Sequence, residues 1–93
     1  MGPVVHAQGT RMATTPNDAE ISARATMIAR GLLATKRAVG IISMDHDRLR
    51  LKCHAGRHYW IDLDGRRVLR GMLLSGAEEL QPKFIDAMER AAR

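Results

Sequence analysis

Cys53, His54 and His58 fall within a six-residue stretch, with His46 a little upstream, so the first chemistry to weigh is metal ligation. Structural zinc needs three or four thiolate, imidazole or carboxylate groups converging on one point. Successive residues of a strand point to opposite sides, and this stretch reads as strand and turn, so Cys53 faces away from His54 and His58. The same alternation removes His54 as a base for a Cys53 nucleophile. Asp62-x-Asp64-Gly65 has the spacing of the centre of a calcium loop. Counting the twelve-residue loop from position 60 or from Asp62 puts its last ligand at Gly71 or Leu73, neither of which binds calcium through a side chain. No glycine-rich phosphate loop and no G-x-S-x-G elbow is present. The expectation is therefore a protein with no catalytic residues, no cofactor and no metal, and not an enzyme.

Charge is more informative. Residues 36–70 hold nine basic residues (Lys36, Arg37, Arg48, Arg50, Lys52, Arg57, Arg66, Arg67, Arg70) against four acids (Asp45, Asp47, Asp62, Asp64), a net of +5 that equals the whole formal charge of the chain. Such an asymmetry favours an anionic partner, whether nucleic acid, an acidic protein or phosphate, without choosing among them. Arg66-x-x-x-Arg70 resembles in spacing the arginine motif of cyclic-dinucleotide-binding PilZ domains. The downstream Asp/Asn-x-Ser-x-x-Gly of those domains is absent, and no family membership follows.

The elements that would carry this charge can be read in order. Thr15, Pro16 and Asp18 form a helix-start pattern, and Ile21, Ala25, Ile28 and Leu32 continue it as one apolar stripe, widened by Met27 and Leu33, to about Lys36. Gly31 weakens such a helix unless it marks a close approach to another backbone. Lys36 and Arg37 suit the last turn. Val39–Met44 is apolar on both parities, which predicts a central strand covered on both sides. Arg48–His54 alternates basic and apolar residues. Pairing it with the next strand around Ala55-Gly56-Arg57 puts Leu49 opposite Leu63, Leu51 opposite Ile61, Cys53 opposite Tyr59, Arg48 opposite Asp64, Arg50 opposite Asp62 and Lys52 opposite Trp60. An Asp64-Gly65 turn then returns a fourth strand over Arg66–Arg70, with Val68 opposite Ile61, Arg67 opposite Asp62 and Leu69 opposite Trp60. Ser75 and Glu78 form a capping-box pattern that predicts either a short turn through Leu80 with a helix restarting at Pro82 or one helix kinked at that proline. A last helix from Pro82 has Leu80, Phe84, Met88 and Ala91 as its apolar stripe.

The fold class expected is α+β: an antiparallel meander of three or four strands flanked by an N-terminal and a C-terminal helix, in the order α-β-β-β-(β)-α. Residues 1–13 read as a disordered leader or expression remnant, and 14–93 as a single small domain. Thirteen of the chain's 93 residues are alanine and three are aromatic, so the core is modest. A single cysteine excludes an internal disulfide framework and fits a reducing cytoplasm. No apolar run approaches the ~18 residues of a membrane span, and no membrane partner is expected.

The function expected is a small basic binding module, engaging nucleic acid or another anionic partner through the basic sheet face. The residues that would carry it are Arg48, Arg50, Lys52, Arg57, Trp60, Arg66, Arg67, Leu69 and Arg70. The alternative is a homo-oligomeric, homodimer-forming interaction module that associates through the Trp60/Leu69 patch.

Overall fold

The computed structural model describes residues 20–72 and 75–93. The leader and the Thr15-Pro16-Asp18 pattern lie outside the described residues. Helix α1 spans Ala23–Ala34, followed by strands β1 (Gly40–Asp45), β2 (Arg48–Lys52), β3 (Arg57–Asp62), β4 (Val68–Met72) and β5 (Gly76–Glu79), and then helix α2 (Pro82–Ala91). All five strands pair with their sequence neighbours, antiparallel, in the order β1-β2-β3-β4-β5. The α+β meander with a helix at each end is as expected, with one strand more. No described helix is long and apolar enough to cross a membrane.

Both helices lie over one side of the sheet. Ala25, Ile28, Ala29 and Leu32 of α1 and Ile85 and Met88 of α2 form one core with Leu49, Leu51, Cys53, Tyr59, Ile61 and Val68. The α1 stripe buries as its spacing predicts. Its start does not match: Ser22 is extended, and its hydroxyl caps the helix by accepting from the Ala25 N–H at 3.0 Å. Lys36 and Arg37 lie past the helix rather than in its last turn, because the chain turns out through a left-handed Lys36 (φ 60°). Gly31 does mark a close approach: a Cβ there would overlap the backbone carbonyl of Met88 in α2. In α2, Ile85 is buried and Ala91 is exposed, so the inward stripe is rotated from the one expected.

Three further expectations fail for local reasons. β1 is an edge strand and not a central one, with Val39 and Ile41 about half exposed, and a bulge between Ile41 and Ser43 shifts its register. The β2–β3 register is two residues away from the expected one: Arg48 faces Asp62, Leu49 faces Ile61, Arg50 faces Trp60, Leu51 faces Tyr59 and Lys52 faces His58. The turn is centred on Ala55, which joins Gly56 in positive φ (56° and 76°) while the Arg57 N–H donates to the His54 carbonyl. A shift by two leaves each side chain on its expected face, so the burial pattern survives the error. Residues 76–79 form a strand instead of a capped helical turn. Gly71 lets β5 come so close that a Cβ there would overlap the Gly76 carbonyl. The β3–β4 register is as expected, with Ile61 opposite Val68 and Trp60 opposite Leu69, although the strand begins at Val68 rather than Arg66.

A candidate binding surface on the open face of the sheet

The parity that buries Leu49, Leu51, Tyr59 and Ile61 turns their neighbours to the uncovered side. That open face carries Arg48, Arg50 and Lys52 of β2, His58, Trp60 and Asp62 of β3, and Leu69 of β4. The bulge in β1 brings Ser43 and Asp45 onto it opposite Arg50 and Arg48, and Glu79 joins it opposite Leu69. Arg67 belongs to the same surface, since its two partners, Asp62 and Glu79, are there.

Three residues of the expected set are elsewhere. Arg57 and Arg70 share the parity of Tyr59 and Val68 and so lie at the margin of the helix-covered side, where Arg70 meets Glu78 at 3.8 Å. Arg66 is in the β3–β4 turn, 82% exposed and 3.7 Å from Asp64. His58 is a residue that reasoning from sequence treats as part of a hairpin end. Its ring packs edge-on against Trp60, with centroids 5.8 Å apart. The signal for it lies in the sequence: His58 and Trp60 share a parity.

Most arginines of the open face are paired. Arg48 Nε donates to Asp62 Oδ1 at 2.9 Å, Arg67 lies 3.9 Å from Asp62 and 3.5 Å from Glu79, and Arg50 Nε is 3.5 Å from Asp45. The face as a whole is therefore close to neutral, and the excess charge sits at one end. The turns holding Asp45, Asp47, Asp62 and Asp64 are at one end of the strands. Lys52, Arg57 and the α1–β1 connection with Lys36 are at the other. Lys36, Lys52 and Arg57 have no acidic partner among the described residues, and Arg37 packs over the Phe84 ring at 5.9 Å.

Two polar atoms beside Trp60 are left with unmet capacity. Arg50 Nε is shielded from water and, although within ion-pair range of Asp45, makes no hydrogen bond; His58 Nδ1 is likewise shielded and unbonded. Burial pushes the His58 imidazole below its ordinary value, and the Arg50 and Lys52 charges push it further, against a weaker opposing pull from Asp45. On the other side, burial raises the Cys53 thiol in spite of Arg57 and Arg70, which leaves it a core residue with little thiolate. Cys53 and His58 lie on opposite faces. Among the described residues no three His, Cys, Asp or Glu side chains gather in a way that could hold a metal ion.

Comparison of the chain with protein-family models, curated proteins and solved structures gives no match.

Proposed function

We propose that the protein is a non-enzymatic binding module whose open sheet face takes a single-stranded nucleic acid. Arg50, Lys52 and His58 would receive a phosphate, and Trp60 would stack on an adjoining base. The observation that carries this reading is the unmet hydrogen-bonding capacity of Arg50 Nε and His58 Nδ1 beside an accessible aromatic ring. Shielded polar atoms without partners are rare in folded proteins; an anionic oxygen accepts from Arg50 Nε–H, and from His58 Nδ1 when the ring carries its proton there. A planar ring among cations is what single strands use for sequence-tolerant binding.

The test is a titration of a fluorescent single-stranded oligonucleotide at two salt concentrations. Trp60→Ala should weaken binding by about 1–3 kcal/mol, the value of one base stacked on an aromatic ring. Arg50→Ala with Lys52→Ala should flatten the salt dependence by roughly 0.7 in log–log slope for each phosphate that is no longer neutralised. Absence of binding at low salt would refute the reading.

A second reading has its own observation. Trp60 and Leu69 are direct partners near the centre of the face, ringed by the Arg48–Asp62–Arg67–Glu79 ion pairs. An apolar centre with a charged rim is the anatomy of a protein interface. Self-association through it would be abolished by Trp60→Ala in sedimentation and change little with salt.

A further inference from the structure

The two edges of the sheet differ in a way that is independent of the open face. β5 is short and carries Glu78 and Glu79, charges of the kind that guard an edge against further pairing. β1 is six residues long and, from Val39 to Met44, carries no charge at all. Val39 and Ile41 are 54% and 47% exposed there. Beside them runs a groove of about 250 Å³ between β1 and α1, lined by Ile21, Ala29, Leu33, Ile41 and Leu49 together with the polar Thr26 and Arg30. Although a bulge interrupts it, an uncharged edge beside a mostly apolar groove is a site for adding a strand.

We propose that the occupant is a second copy of this chain, its β1 paired antiparallel to the first across a two-fold axis to make one continuous ten-stranded sheet. The charge distribution selects this partner. β1 runs from the basic Lys36–Arg37 connection to the acidic Asp45–Asp47 turn. Antiparallel pairing lays the basic end of one protomer against the acidic end of the other, twice, whereas parallel pairing would oppose like charges. Lys36 and Asp47 have no ion-pair partner within the protomer among the described residues, so both are free to meet across the axis. A two-fold contact must be self-complementary, and this edge is. The pairing also sets the two Ile41 side chains, with the grooves they line, on either side of the axis. Such a dimer does not depend on nucleic-acid binding. It leaves both Trp60 surfaces on the same side of the joined sheet.

Sedimentation equilibrium of the full chain tests it. The wild-type protein should have the mass of a dimer, and Ile41→Lys should shift it to the monomer mass with an unchanged circular dichroism spectrum. Lys36→Glu and Asp47→Lys should each shift toward monomer, because each opposes like charges at both contacts. An equimolar mixture of those two variants should return to dimer, since a heterodimer restores opposite charges at both contacts. Trp60→Ala should stay dimeric. A wild-type monomer, which would leave the edge to an extended peptide of another protein, overturns the proposal. So does an Ile41→Lys dimer, or a mixture no tighter than its components. Oligonucleotide titration of the Ile41→Lys monomer reports on the open face separately.

Discussion

On the covered face of the sheet, Leu49, Leu51, Tyr59, Ile61 and Val68 are almost wholly shielded from water by the two helices. On the open face, in the same strands and one residue away, Arg48, Arg50, Trp60, Asp62 and Leu69 are all partly accessible and mostly engaged in ion pairs or cross-strand contacts. Nothing in the backbone distinguishes the two sides. The covered side is specified by the removal of apolar area from water, worth roughly 25 cal/mol per Å². The open side is held by ion pairs at partly exposed positions, each typically worth about 1 kcal/mol or less. Stability should therefore reside on one face and recognition on the other.

Neighbouring residues of β3 give the sharpest way to break that contrast. Ile61→Ala should cost about 2–5 kcal/mol in urea denaturation, the range for a fully buried branched side chain that leaves a cavity. Asp62→Ala should come next, at about 1 kcal/mol, because it leaves Arg48 and Arg67 without their shared carboxylate. A stabilising effect would show that the ion pairs at Asp62 do not hold the face in order. Trp60→Ala, beside Ile61 but on the open side, should cost only about 0.2–1 kcal/mol, the scale of a cross-strand pair. Comparable losses at Ile61 and Trp60 would mean that the open face is itself buried in the native assembly.

The smallest effect concerns pH. His58 has its folded-state value depressed, so the folded chain favours the neutral ring. Stability is then unaffected above the ordinary histidine value of 6.5 and declines as pH falls below it toward the folded value. Replacing His58 with Asn should remove that decline from a series of denaturation curves. An anion bound beside the ring would favour its charged form, so binding should instead strengthen as pH falls.

How far the two faces could be read from sequence follows from the same physics. Although Arg57 is not on the face expected for it, period-two alternation fixes the face of Arg48–Lys52 in β2 and of His58–Asp62 in β3, because a wrong assignment there would bury charge. It could not choose between registers differing by two residues, since both keep the faces and both offer Arg–Asp pairs. The choice lay in Ala55, whose left-handed conformation is not the one alanine favours. The Ser75/Glu78 pattern misled for a related reason: local capping propensity in a few residues is weak beside the strand pairing that Gly71 admits. Arg48, Arg50, Lys52, Trp60, Arg67 and Leu69 could be gathered on one surface from parity alone. Their partial neutralisation by Asp45 and Glu79 could not, because those partners depend on a bulge in β1 and on a strand, β5, that the sequence did not announce.

The nearest-neighbour strand order has a consequence for how the chain acquires its structure. Each strand closes onto the one made just before it through a short loop, so the sheet is a series of local events and needs no distant segment. The helices are different: they come from opposite ends of the domain and meet at Gly31 and Met88, a join between segments far apart in the chain. As the chain is synthesised, all five strands emerge before α2 does. The apolar side of the sheet is then only half shielded by α1, and α2, which follows all five strands, completes its cover.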